Sequence, residues 1–130
     1  VLFRSKTLLQ LEIPGLPPTV NQIYRTGQGR SFRYKTKKTN DWQQHVALLM
    51  TAARKVKEYS GLVILHITLE TTDRKRWDLD NRVKALQDCL QMAGVIKDDS
   101  QIWELHVKRK LGEKTTTRVL LEGGSVINPF

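Results

Sequence analysis

Cys89 is the only cysteine in the sequence. An intrachain disulfide and a CxxC zinc site are therefore excluded, and the composition fits a reducing, cytoplasmic setting. No apolar run approaches the about 18 residues that a membrane-crossing helix needs, so no membrane partner is expected. The N-terminal VLFRSKTLLQ lacks the apolar block and small-residue cleavage site of a signal peptide. Residues 1–5 read as an appended scar outside the fold, and GGSVINPF (123–130) as a loose tail. No internal repeat is visible. The most informative absence is of acid: from Ile13 to Asn40 there is no Asp or Glu, but there are six basic residues, Arg25, Arg30, Arg33, Lys35, Lys37 and Lys38.

What is present fits one small domain. With 130 residues, 39% of them apolar, the chain can build a single core but not two. Twenty-two Lys and Arg against thirteen Asp and Glu leave a net charge of +9. A block as basic as 13–40 reads as a surface for a polyanion, nucleic acid above all; the plainer reading is a solvated face that aids solubility. Tyr24, Phe32 and Tyr34 are interleaved with those cations, a mixture suited to phosphates and exposed bases or to anchoring a loop on the core.

The hydrophobic pattern predicts the order β-α-β-α-β-β, an α+β fold with a small four-stranded mixed sheet and two main helices. TLLQLEI (7–13) alternates as a strand. PGLPPTVNQ then breaks regular structure, and about twenty residues without periodicity follow, longer than the 12–15 usual for a connection. A first helix starts between Thr36 and Asn40 and ends near Tyr59, with Trp42, Val46, Leu49, Ala53 and Val56 on its apolar face. LVILHITLE (62–70) is apolar on both faces in its first half, which suits a central strand. A second helix runs from near Asp80 to Gly94, burying Val83, Leu86, Leu90 and Ala93. IWELHVKR (102–109), with Trp103, Leu105 and Val107 inward, and TTTRVLLE (115–122) form an antiparallel hairpin through LGEK (111–114). His45, His66 and His106 share no motif and read as structural; Cys89 reads as a buried small apolar residue.

Chemistry concentrates in RKRWDLDNRVK (74–84). If residues 77–80 are extended, Asp78 and Asp80 project to the same side. Two close carboxylates repel unless a cation sits between them, and all-oxygen donors favour Mg²⁺ or Mn²⁺ over zinc. Asp at a helix start also has a structural use as a cap. Asp98 and Asp99 form a second acidic focus, readable equally as a turn or as a ligand. The intervening helix, taken as about 14 residues, is roughly 20 Å long, so the chain must double back for Asp99 to approach Asp78. Lys84 lies four residues after Asp80 and four before Asp88. It reads either as an i, i+4 salt bridge or as a cation that stabilises charge on a phosphate.

RKRWDLDNRVKALQDCLQMAGVIKDDSQI, with PPTVNQIYR upstream, resembles the RusA family of Holliday junction resolvases. The shared features are a basic run, DLDN, a lysine four residues after the second Asp, an AG pair closing the helix and a DD before the next strand. The likeness runs from about Leu8 to Glu122 and is strongest over 74–102. It implies that Asp78, Asp80 and Asp99 are catalytic, metal-binding acids, that Lys84 supports catalysis, that Asn81 organises the site, and that Asp98 is an accessory acid or a turn residue. It further implies a Mg²⁺-dependent homodimer, of bacterial or prophage origin, that cuts four-way DNA junctions by paired symmetric nicks. Arg74, Lys75, Arg76 and Arg82, with the cations at 25–38, would bring the phosphate to the acids. Trp77 stands where the family often has a basic residue, and stacks on an unpaired base or packs under the loop. Two other readings stand beside this one: a non-catalytic basic DNA-binding protein whose acids are caps and turns, and a DxD transferase. The small, very basic chain, without an evident nucleotide-binding domain, disfavours the transferase.

Overall fold

The computed structural model describes residues 3–19, 24–26 and 33–126, with side chains for 6–19 and 36–124. Its elements are β1 (Phe3–Pro14), β2 (Tyr24–Thr26), β3 (Arg33–Lys35), α1 (Lys37–Ala53), β4 (Val63–Thr71), α2 (Lys84–Met92), β5 (Ile102–Leu111) and β6 (Thr116–Val126). Short 3-10 turns lie at Asp80–Arg82 and Asp99–Gln101. The main sheet is four-stranded and mixed, in the order β1-β6-β4-β5, so the expected fold class and element order hold. The stretch read as one long irregular connection contains an additional antiparallel ribbon, β2–β3, which pairs Tyr24 with Lys35 and Thr26 with Arg33.

β4 is central, as its apolar character requires. Val63, Leu65, Ile67 and Leu69 are buried toward the helices, while Ile64, His66 and Thr68 alternate on the other face. α2 buries Ala85, Leu86, Cys89 and Leu90, flanked by Val83 and Ala93, which matches its predicted stripe and the buried Cys89.

α1 starts at a Thr36 cap whose hydroxyl accepts from the Thr39 N–H at 3.3 Å. It ends at Ala53, short of Tyr59, because tertiary partners take the next amides. Lys55 N–H donates to Leu8 O (2.9 Å), Glu58 N–H to Gly94 O (2.6 Å) and Tyr59 N–H to Val95 O (2.9 Å). Its buried residues are Thr39, Gln43, Val46, Ala47 and Met50, with Trp42 and Ala53 only partly covered. The face is turned from the predicted one because Gln43 finds a buried acceptor, Ala85 O, at 3.2 Å.

Three expectations about the strands and the two ends of the sequence need correction. β5 and β6 do not form a hairpin: β4 lies between them, parallel to β5 and antiparallel to β6. Residues 112–115 vault over the end of β4, where Gly112 N–H donates to Thr71 O at 2.9 Å. Four residues reach about 13 Å, enough for two interstrand steps of about 4.8 Å. A side chain at Gly112 would run into the carboxylate of buried Glu70. Next, Trp103 and Leu105 do not point into the core; they are 54% and 43% exposed. β5 is an edge strand, and Trp103 is the extra residue at a bulge, since Ile102 pairs with Val63 and Glu104 with Ile64. Val107 does pack against the core.

Finally, the sheet reaches into both segments set outside the fold: Phe3 pairs with Val126, Ser5 with Gly124 and Lys6 with Gly123. Gly123 is required there, because a Cβ would lie 2.7 Å from the Tyr59 ring and 2.8 Å from Leu8 Cδ1. Gly123→Ala is therefore expected to destabilise the fold by about 1–3 kcal/mol through overpacking. Urea unfolding checks this as a lowered midpoint with an unchanged slope.

Candidate functional site

The segment after β4 is fastened to the sheet by a residue that no sequence motif marks. Arg109, near the end of β5, donates from Nε to Thr71 Oγ1 (3.0 Å) and from Nη2 to Asp73 O (2.8 Å) and Asp73 Oδ1 (3.3 Å). Its Nη1 donates to Lys75 O. The guanidinium also lies over the Trp77 ring, 4.4 Å from its centroid. Arg82 lies over the same ring at 4.9 Å and donates to Pro17 O at 2.7 Å. Burial first, and then the charge of Arg109, depress the basicity of Arg82. Its Nε is buried without a hydrogen-bond partner among the described residues. Trp77 is half-buried and packs against the core, so it is engaged within the chain. Nothing in the local pattern marks Arg109, which occupies an ordinary position of an alternating strand.

This clamp carries Asp78 and Asp80 at the end of the sheet, both exposed. They do not lie on an extended stretch: Leu79 is helical (φ −60°, ψ −44°), so the same-side argument does not apply to them. Neither acid serves as a helix cap. Leu79 and Val83 hold the N-cap positions, with no side-chain cap bond. Asn81 Nδ2 donates to Asp78 Oδ2 at 3.5 Å. Lys84 Nζ lies 3.0 Å from Asp88 Oδ1, the i, i+4 pair that its spacing allows.

At the second acidic focus the two aspartates have different surroundings. Asp98 is the cap of its 3-10 turn: its carboxylate accepts from Ser100 N–H at 3.0 Å, while the Gln101 side chain accepts from Asp98 N–H. Hydrogen bonds from the Ser100 side chain, then from its backbone, lower the Asp98 pKa. Asp99 is half-buried beside it.

Within one chain, Asp99 and the Asp78–Asp80 pair sit at opposite ends of the β4–β5 strand pair. β4 and β5 are parallel, with Ile102 beside Val63 and Leu111 beside Thr71. Asp99 precedes Ile102, where Gln101 Nε2 binds Tyr59 O and Gly61 O. Asp78 follows Trp77, which lies under Arg109. From Ile102 to Arg109 is seven strand steps, about 23 Å. Accordingly, no group of three His, Cys, Asp or Glu among the described residues can hold a metal ion. The doubling back that would join the acids within one chain does not occur.

Among the predicted cations, Arg74, Lys75 and Arg76 are exposed directly before the acids, and Lys37 and Lys38 are exposed at the start of α1. Lys37 pairs with Asp41 at 3.4 Å. Arg25, Arg33 and Lys35 lie on the β2–β3 ribbon, but their side chains, and Arg30 altogether, lie outside the described residues. Of the histidines, His45 is exposed on α1. His66 and His106 stack at 5.0 Å on the open face of the sheet, and His66 Nε2 is 2.8 Å from Glu122.

A family model described as endodeoxyribonuclease RusA matches residues 14–122, which include both acidic foci and the clamp. The chain belongs to the RusA family. A RusA crossover junction endodeoxyribonuclease of Aquifex aeolicus is 30% identical over 123 residues, covering 94% of this chain and 92% of the relative. The corresponding protein of Escherichia coli K12 is 32% identical over 91 residues, 70% of this chain and 74% of the relative. That of Enterobacteria phage 82 is 31% identical over the same length. Within this RusA chain the described residues include no helix long and apolar enough to cross a membrane.

Proposed function

We propose that this RusA-family chain is a metal-dependent endonuclease that resolves four-way DNA junctions as a homodimer, making one nick with each of two equivalent sites. The observation that carries it is the placement of Asp78 and Asp80: exposed, free of capping duty, fastened to the sheet by Arg109, and directly behind Arg74–Arg76. The donor set is carboxylate oxygen, which suits Mg²⁺ or Mn²⁺. One chain supplies only part of it, however, because its Asp99 lies at the far end of β5. A second copy with its Asp99 at this end completes the set, and a twofold axis produces two such sites. Bound there, the ion would activate water and neutralise charge on the phosphoryl oxygens. Arg74, Lys75 and Arg76 reverse the local field, so that a phosphate approaches acids that would otherwise repel it. Lys84, one helical turn beyond Asp80, holds a positive charge near the leaving group when released from Asp88.

A synthetic four-way junction and a linear duplex of the same sequence, each incubated with the protein with and without Mg²⁺, test the proposal. Paired nicks in the junction alone, and only with metal, are the expected result. Binding without cleavage under every metal tried would favour the non-catalytic DNA-binding reading, to which the separation of the acids within one chain lends weight. Junction affinity should also fall steeply with salt, with a log–log slope of about −0.9 per phosphate contacted. A flat salt dependence would remove the basic residues from the interface.

A further inference from the structure

Asp78 and Asp80 do little to hold themselves in place. Both are exposed, and among the described residues their carboxylates meet only the Asn81 amide, 3.5 Å from Asp78. Mg²⁺ demands near-ideal octahedral geometry, so the placement of these acids has to come from the backbone that carries them.

That backbone is a closed loop. Arg82 lies over the Trp77 ring at 4.9 Å, which bridges the two ends of residues 77–82, and both acids lie between them. Inside the loop, Arg82 N–H donates to Leu79 O at 3.2 Å. The loop is anchored on both sides. Before it, Arg109 grips every second residue of the incoming segment: Thr71, Asp73, Lys75 and Trp77. After it, Arg82 Nη1 donates to Pro17 O at 2.7 Å. Pro17 is itself held near β6, where Gly15 N–H donates to Thr115 O (3.0 Å) and Thr117 Oγ1 to Gly15 O (2.8 Å). Two guanidiniums converging on one indole repel each other, and the negative π face of the ring offsets that repulsion.

We propose that Arg82 and Arg109, joined through Trp77, are positioning residues that preset Asp78 and Asp80 for a divalent metal, and that none of the three is a contact to DNA. All three guanidinium nitrogens of Arg109 are engaged within the chain. Arg82 has its Nε buried, and the half-buried Trp77 ring already faces both cations. The inference rests on the junction-nuclease reading for the use made of the acids. It moves Trp77 and Arg82, expected from sequence at the DNA, into the frame that holds the acids.

Arg82→Gln and Arg109→Gln test it, with circular dichroism to confirm the fold. Each should raise the Mn²⁺ dissociation constant, read without DNA by electron paramagnetic resonance, about 10- to 100-fold. Trp77→Phe, which keeps a ring, should bind Mn²⁺ more tightly than Trp77→Leu, which keeps only apolar packing. Junction binding in EDTA should keep its salt slope in Arg82→Gln, whereas loss of a phosphate contact lowers the slope by about one. Amide exchange over residues 72–83 should quicken in Arg109→Gln. Wild-type Mn²⁺ affinity in both arginine variants overturns the proposal, and so does a salt slope lowered in Arg82→Gln. A junction-cutting wild type with either result keeps the nuclease reading and loses only the positioning role. A wild type that neither binds Mn²⁺ nor cuts loses the nuclease reading; exchange then decides the frame, which stands if residues 72–83 loosen in Arg109→Gln and falls if they do not.

Discussion

Asp80→Asn is expected to lower junction cleavage by orders of magnitude while junction binding stays the same or tightens. The substitution keeps the shape of the side chain and removes its charge. Asp80 is exposed and opens a 3-10 turn without capping it, so stability should be nearly unchanged, as for surface substitutions generally. The two readouts separate because the carboxylate plays opposite parts in them. For metal it is an attractive donor that an amide replaces poorly. For DNA it is a like charge, and a carboxylate about 4 Å from a phosphate repels it by about 1 kcal/mol in bulk water. Relief of that repulsion is worth at most several-fold in affinity, small beside the loss of a ligand. Gel-shift titration in Ca²⁺ or EDTA, with single-turnover cleavage in Mg²⁺, measures the two effects. Cleavage at the wild-type rate would take Asp80 out of the mechanism, and a parallel loss of binding would make it a structural residue.

The chain pattern made the layers of this fold readable and left its edges unread. β4, α2 and the buried stripe Val83, Leu86, Leu90 and Ala93 could be read because continuous apolar runs and helical periodicity report burial locally. The β5–β6 connection could not. LGEK is short and turn-like whether it closes a hairpin or vaults over β4, and only the Thr71 carbonyl waiting for Gly112 N–H tells the two apart. For β5 the alternation was legible, but which of its residues are covered depends on where the helices stop. Pattern alone turns Trp103 and Leu105 inward, yet both lie exposed at the sheet edge.

The site divides in the same way. A DxD behind a basic run can be seen in the sequence, and so can a turn-forming DDS. Their spacing does not say whether the strand after Asp99 begins near Asp78 or a sheet's length away; the parallel pairing of β4 and β5 decides that. Arg109 was invisible for a related reason. Its partners Thr71, Asp73, Lys75 and Trp77 are more than thirty residues away in the chain, and its strand position looks like any other.

Mixing two inactive variants, Asp80→Asn and Asp99→Asn, is expected to restore cleavage. Each homodimer alone has two defective sites whether the acids act within a chain or between chains. The mixed dimer distinguishes the arrangements. If each site takes Asp78 and Asp80 from one chain and Asp99 from the other, one site receives both substitutions. The second site combines the intact Asp78–Asp80 pair of the Asp99→Asn chain with the intact Asp99 of the Asp80→Asn chain. If every site is built within one chain, both sites of the mixed dimer carry one lesion and nothing is regained. Recovery should therefore appear as single nicks in a four-way junction, reaching about half the wild-type number of active sites in dimers that are mixed, without paired cuts. Subunits must be exchanged first, by dilution and reconcentration or by refolding together, and a differently tagged copy of each variant allows the mixed dimer to be isolated. Single nicks from that species alone would place Asp99 across the interface, the arrangement that the parallel β4–β5 register demands if Asp99 shares a site with Asp78 and Asp80. A mixed dimer as inert as its parents would mean that Asp99 does not serve the partner's site, and the opposed ends of β5 would then have to be explained without it.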